Sequence, residues 1–461
     1  MKVWHRMFRK QSLDRYLEKD GHLERSLSSI DLIALGVGAV IGTGIFILPG
    51  TVAATKSGPG IIFSFLLAAV VCSLAAMCYA EFASVLPVAG SAYSYSNIVY
   101  GEFVGWLIGW ALVLEYVLAV AAVAVGWSAY FVSVLSGFGL TLPKVVTGSF
   151  SPTKGTYINL IAIVIVCLIA WIIDQGMKTS VRLNNIIVAI KLLIIVAFLL
   201  VGFFYIKPKN WIPFAPFGIK GVFRGAAVVF FAYLGFDCVS SSAAEVKNPK
   251  RNMPIGIIGT LVICTMFYIL VSAVLTGMVP YSRLNVDDAV SFALQIVHQN
   301  FLAGIVSIGA LAGMFSMMVT MIYSSSRLLY SIGRDGLLPS FLGRIDHKHT
   351  PRNAIFTVVL VISLLAGFVP LTQLANLVNI GTLIAFAVVS IGIIPLRRNP
   401  KLNQIQGFRV PFYPALPILS GVLCIFMIAQ LSKETLLASL VWFSLGIVIY
   451  FSYGIKQHKI H

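Results

Sequence analysis

The sequence predicts an all-α polytopic membrane protein with twelve transmembrane helices. Of its 461 residues, 59% are hydrophobic and 11% charged, where a soluble protein carries about 25% charged residues. Apolar runs of roughly 20 residues, enough to cross a bilayer, recur along the whole chain. Placing the N-terminus inside assigns the larger share of the 33 Lys and Arg residues to cytoplasmic tails and loops, as the positive-inside rule requires. Both termini are therefore expected on the cytoplasmic side of the cell membrane. The formal net charge of +17 suits a basic face set against anionic membrane lipid and calls for no nucleic acid partner.

The first span, 30–53, follows a charged tail that lacks a long apolar run, so no cleavable signal peptide is expected. The second, 60–86, carries Glu81 near its inner end, placed as a gate or a surface ion-pair partner. The third, 99–136, is long enough to tilt or to include an interfacial turn, and Glu115 lies deep within it. The fourth and fifth cover 156–173 and 183–206, and Lys191 is the only charge in the apolar heart of the fifth. The sixth, 221–243, has a weaker signal because it contains Asp237. Spans 254–279, 301–331, 354–370, 373–395, 413–431 and 435–455 complete the set. The organisation expected is a cytoplasmic tail, 1–28, and one transmembrane domain, 29–461. That domain is read as two halves, 29–206 and 221–395, with two further helices in 413–455.

Connections are short. The longest cytoplasmic ones are the tail and Gly333–Asn353. Outside, Asn285-Val286-Asp287-Asp288 opens a surface helix with an N-cap and early acids, either a lid over the extracellular mouth or a linker. The six cysteines all fall inside spans without metal-ligand spacing, and read as small apolar fillers. The seven histidines lie in tails or loops. No metal, cofactor or enzymatic site is expected inside the membrane.

Two spans carry interruptions. Leu35–Gly50 holds five glycines in sixteen residues, each costing a helix about 1 kcal/mol relative to alanine. Span six reads Val228-Val229-Phe230-Phe231-Ala232-Tyr233-Leu234-Gly235-Phe236-Asp237-Cys238, with a glycine and an acid in mid-membrane. An unwound backbone in lipid is tolerated only where protein or water covers it. Small residues also serve close helix approach. Breaks at corresponding places in two halves nevertheless point to a transporter's binding site near the midplane.

These residues resemble a known family. Ile41-Gly42-Thr43-Gly44-Ile45-Phe46, Phe230–Asp237 and Ser326-Arg327-Leu328-Leu329-Tyr330-Ser331-Ile332-Gly333-Arg334-Asp335-Gly336 look like the amino acid–polyamine–organocation superfamily. Glu245-Val246-Lys247-Asn248-Pro249-Lys250-Arg251-Asn252-Met253-Pro254 is similar to its cationic amino acid transporter branch. The resemblance covers almost the whole chain. It implies a LeuT-type fold, a 5+5 inverted repeat with broken helices 1 and 6 plus two further helices, and transport of a small-molecule L-amino acid.

An α-amino acid presents one carboxylate and one ammonium. Combined with the family pattern, this assigns the Thr43 and Gly44 amides, aided by a half-helix N-terminus and the Thr43 hydroxyl, to the carboxylate. The carbonyls of Val40, Phe231 and Leu234, freed by unwinding, accept from the ammonium. Ile41, Gly42 and Ala232 complete the backbone lining, and Phe231 is placed to close over the ligand or to fill the core. Met321, chosen by family position from a methionine-rich span eight, shortens the pocket and favours small or neutral amino acids such as alanine.

Lys191 sits where a charge is tolerable only with oxygen partners or after losing its proton. In sodium-coupled relatives of the implied fold a cation lies between spans one, five and eight. An ammonium from span five fits that place, reaching span-one carbonyls and Ser324 or Ser325. Glu115 and Asp237 join it as proton carriers, as partners for Lys191 or as attractors of a cationic side chain, and Asp237 can instead cap a half-helix. The reading is proton-coupled symport by alternating access, with protons, amino acid and membrane lipids as partners and an accessory membrane subunit left open. An amino acid exchanger or a cationic amino acid carrier uses the same site. A channel needs polar rings that these spans lack, and a receptor needs a soluble domain that the loops are too short to hold.

Overall fold

Inside a bilayer no water is present to bond backbone polar groups, so long apolar runs satisfy them internally as helix. The computed structural model describes residues 7–10, 25, 27–88, 90–174, 181–286, 288–346 and 351–455, without the side chains of 154 and 181–184. Most of the tail expected over 1–28, Asp287 in the opening of the surface helix, and part of Gly333–Asn353 lie outside the described residues. Among the described residues the chain is helical, with isolated β-bridges and no strand.

Eight helical runs are long and apolar enough to cross a membrane: Leu48–Val85, Glu102–Gly137, Asn185–Phe203, Gly218–Ser241, Pro249–Met278, Asn300–Arg334, Leu371–Arg398 and Lys433–Gly454. Shorter apolar helices cover Ser29–Val40, Leu160–Asp174, Arg352–Phe368 and Ala415–Ala429. Leu160–Asp174 begins later than the sequence suggests. Residues before it are diverted into bridges that pair Thr147 with Asn159 and Ser151 with Thr156.

Glu102–Gly137 is one uninterrupted helix of 36 residues with no interfacial turn. At 1.5 Å per residue it is about 54 Å long, well beyond the roughly 30 Å of a hydrocarbon core. It organises the molecule. Trp110 stacks on Trp442 with ring centroids 4.4 Å apart, and the Trp106 indole donates to the Gly446 carbonyl at 2.9 Å. These contacts fix the Lys433–Ile449 helix against it.

Both interrupted segments break where the glycines predict. Ser29–Val40 starts from a capping box in which Ser28 and Asp31 satisfy each other's amides. It stops at Ile41–Gly42, and helix resumes at Thr43–Phe46. The second segment runs as helix through Gly218–Val229, tightens to a 3-10 turn over Phe230–Tyr233, extends at Leu234, and restarts at Phe236. Gly235 between them has φ +112°, and a Cβ there would lie 3.0 Å from the Ala39 backbone. Glycine is needed on both counts.

The two breaks touch each other. Gly235 lies against Ala39, and Gly44 lies against Ala232. Leu27, just before the first segment, pairs with Val246, just after the second. At the far end of the Ile61–Val85 helix, Glu81 is fully buried. It is an ion-pair partner, but not a surface one. Arg397 grips both its oxygens at 2.7 Å, the Val410 amide donates at 2.7 Å, and Arg409 lies 3.5 Å away. At the other end a helix over Ala289–Ile296 follows Asp288, whose carboxylate accepts from the Ser133 hydroxyl at 2.6 Å. Gly50 packs on Ala289 and Leu284, so this helix covers the second half of the first segment as a lid would.

Candidate functional site

Helix interruption creates the site because it exposes backbone groups that a continuous helix would consume. Thr43 and Gly44 occupy the first turn after the break, where amides have no intrahelical acceptor. The Thr43 methyl lies against Gly126 of the long central helix. Its hydroxyl is buried and has no hydrogen-bond partner among the described residues. Two amides and an idle hydroxyl therefore converge at the break, a donor set suited to an anion.

Gly44 has a second role besides ligand approach. A Cβ at this position would lie 2.6 Å from the Ala232 Cβ and 2.7 Å from its Cα. Even alanine at 44 would force the two interrupted segments apart.

The freed carbonyls are largely engaged from within the protein. Tyr268, from Pro249–Met278, sits with its hydroxyl 3.0 Å from the Val40 carbonyl and 2.5 Å from that of Ala232. One hydroxyl has one proton, so it can donate to only one of the two at a time. The Phe231 carbonyl accepts the Leu234 amide at 3.2 Å within the 3-10 turn. Sequence reasoning did not single out Tyr268, since a tyrosine in an apolar helix carries no local sign of what its hydroxyl meets.

Lys191 is buried and lies where the charge argument put it. Its ammonium donates to Ile41 O at 2.8 Å, Gly38 O at 3.2 Å and Val37 O at 3.4 Å. The span-eight serines do not take part. The stem of Lys191 runs beside Gly313, and Ser325, twelve residues on, lies about 18 Å further along the helix. The Ser325 hydroxyl turns instead to the Ile322 carbonyl. Among the described residues Lys191 has no carboxylate partner.

The two acids gather elsewhere. Asp237 accepts from the Tyr116 hydroxyl at 3.0 Å through Oδ2, and no side-chain cap forms at the start of the Phe236–Ser241 helix, where Gly235 is the N-cap residue. Glu115, one residue from Tyr116, is buried, and neither of its oxygens has a hydrogen-bond partner among the described residues. Thr382 lies beside it but points its hydroxyl at the Val378 carbonyl, 3.3 Å away. Glu115 and Asp237 are thus two buried acids linked through adjacent residues of the long helix, and neither bonds Lys191.

Met321 is buried with its sulfur 3.8 Å from the Cys238 thiol. The methionine that reaches the first break is Met317. Its sulfur stands 2.5 Å from where a Cβ on Gly42 would be. The two lie one helical turn apart on one face, so spacing could not choose between them. Phe231 is buried beside Ala232 at the second break.

Comparison with known proteins places this geometry in context. The amino acid permease family model matches residues 27–452. The chain is 49% identical to the methylthioribose transporter of Bacillus subtilis (strain 168), covering 98% of each chain. It is 46% identical to the branched-chain amino acid permease BcaP of the same organism, over 99% of each. It is 36% identical to the vacuolar cationic amino acid transporter 4 of Arabidopsis thaliana, over 83% of this chain and 65% of the relative.

Proposed function

The chain belongs to the amino acid permease family, and from that premise we propose that it is a secondary active carrier of L-amino acids. In this reading it is a proton symporter of the cell membrane, with twelve spans and both termini in the cytoplasm. The spans form a LeuT-type inverted repeat of 29–206 and 221–395, with two further helices in 413–455. The carrying observation is the meeting of the two interrupted segments at Gly44 and Ala232, with the idle Thr43 hydroxyl at the same point. The Thr43 and Gly44 amides take the substrate carboxylate. The ammonium goes to carbonyls at the two breaks, among Val40, Phe231, Ala232 and Leu234, displacing Tyr268 from at least one of them.

Coupling follows from charge. An ammonium held by three carbonyls and no carboxylate is tolerable in lipid only while the carbonyls stay in place. Protonated Lys191 ties the first segment to its own helix. Losing the proton removes the charge and one of the three donors, which weakens the hold on the Val37, Gly38 and Ile41 carbonyls and lets the first segment move. Glu115 and Asp237 can carry a further proton between them.

Small and neutral substrates such as alanine fit a break crowded by Met317 and Phe231, with Met321 behind Cys238. Uptake of radiolabelled alanine into proteoliposomes, with and without an imposed pH gradient, tests the reading. Accumulation driven by acid outside supports symport, accumulation only against a preloaded amino acid supports exchange, and neither refutes both.

The methylthioribose transporter among the relatives favours a second reading, a neutral thioether sugar as substrate. Such a ligand has neither carboxylate nor ammonium. A competition panel separates the two: amino acids compete and their methyl esters do not in the first reading, whereas methylthioribose alone competes in the second.

A further inference from the structure

A cavity of about 410 Å³, which none of the residues assigned above to the substrate lines, is bounded by Lys56, Arg224 and Lys433 together with Asn376, Gln430 and Ser432. Four separate parts of the chain converge on it. Lys56 ends the turn that follows the first interrupted segment. Arg224 lies on Gly218–Val229, Asn376 on Leu371–Arg398, and Lys433 begins the final helix. The approach of the first two is built in, because the Lys56 backbone rests directly on Gly221 and Ser57 on Gly225. Small residues one turn apart bring the two cations to the same opening.

None of the three cations has an ion pair among the described residues. The acid next in sequence, Glu434, is exposed and does not line the cavity. Three positive charges share one cavity with two amides and a hydroxyl, and among the described residues no carboxylate lines it. The donors outnumber what a carboxylate can use and suit the several oxygens of a phosphate. At about 30 Å³ per water, the space holds on the order of a dozen waters, more than a bare phosphate fills. Phe223 and Phe426, whose rings meet edge to face at 6.0 Å, lie beside it in sequence on two of the helices that form it. Ile425 and Phe426 are exposed on the Ala415–Ala429 helix, an apolar surface along which acyl chains can run.

We propose that this cavity binds a phosphate-bearing anion, the headgroup of an anionic phospholipid or a free phosphate. Bound there, the phosphate bridges the two interrupted segments and the Leu371–Arg398 and Lys433–Ile449 helices. This assignment stands apart from the substrate reading above.

The test uses the full-length chain in detergent. Native mass spectrometry follows retention of phosphatidylglycerol and of phosphatidylcholine, and thermal unfolding follows inorganic phosphate. The cavity variant is Lys56→Gln/Arg224→Gln/Lys433→Gln. Its control, Lys144→Gln/Lys207→Gln/Lys209→Gln, removes the same charge from exposed positions that do not line the cavity. With a lipid headgroup, parent and control retain phosphatidylglycerol over phosphatidylcholine, and the cavity variant loses that preference by about fivefold for each charge removed. With a soluble anion, phosphate stabilises parent and control but not the cavity variant, and the two lipids are retained equally. Equal behaviour of parent and cavity variant toward lipid and phosphate alike overturns the site. Should the triple variant fail to fold, Arg224→Gln alone carries the test, with about a fivefold loss expected and no loss overturning the proposal.

Discussion

Lys191 and Arg397 are both cations held by several oxygens, yet the two sites are built differently. Arg397 meets a carboxylate. It takes both oxygens of the fully buried Glu81 at 2.7 Å and the Val410 carbonyl at 3.0 Å. Lys191 meets only carbonyl dipoles, at 2.8 to 3.4 Å. The first site sets a carboxylate against its cations and its Arg397 contact is bidentate, so little is gained by moving it. The second leaves a net charge in an apolar helix, stabilised by carbonyls at the end of an interrupted one. A carboxylate clamp holds helices together, whereas under the proposed coupling the lone charge held against the interrupted first segment is discharged and so releases it.

The largest effect expected is on stability. Glu81→Ala strands Arg397 without its carboxylate, and breaking such a pair costs about 3–5 kcal/mol. Its melting temperature in detergent falls sharply, and little folded carrier remains for uptake. Lys191→Met replaces an unpaired buried charge by an apolar chain of similar length and leaves the melting temperature unchanged or raised. If the two variants are destabilised equally, the contrast between the sites is wrong.

Gly44→Ala comes next. The added carbon meets Ala232, so alanine binding weakens by about tenfold or more, a cost of about 1.4 kcal/mol in binding. Ala232→Gly in the same chain restores part of it, since the Cβ–Cβ overlap is relieved while the Cα remains close. A double-mutant cycle on binding measures this coupling, and strict additivity would deny the contact.

Tyr268→Phe removes the hydroxyl that stands between the Val40 and Ala232 carbonyls and donates to one of them at a time. A buried acceptor left unsatisfied costs about 1–3 kcal/mol. The initial rate of alanine uptake falls while the fold persists by circular dichroism. An unchanged rate would show that the hydroxyl only fills space.

The smallest effect separates the two methionines. Met317→Ala acts at the first break and shifts affinity for alanine. Met321→Ala enlarges the region behind Cys238 and admits longer side chains, arginine or lysine first, by about tenfold in relative competition, the scale set by a few methylenes of pocket volume. An unchanged competition profile for Met321→Ala makes it core.

Much of the fold was legible in the sequence because its signals are local. Apolar runs gave the helices, and the glycines at 42, 44 and 235 marked both breaks. Lys191 stood out because a lone charge in lipid has few places to be. What escaped depended on distant pairing. Tyr268 and its two carbonyls are separated by 228 and 36 residues, and Glu81 meets Arg397 across 316. No periodicity reports such meetings. The span-eight serines failed as partners for Lys191 because a helix position was inferred without the depth at which the two helices cross.

The most direct measurement compares parent and Lys191→Met in proteoliposomes with acid outside, following alanine accumulation beside direct alanine binding. The parent accumulates alanine several-fold over a symmetric-pH control. The variant still binds alanine, but its uptake is indifferent to the gradient. Undiminished accumulation by the variant would contradict Lys191 as the coupling residue and leave the Glu115–Asp237 pair to carry the proton.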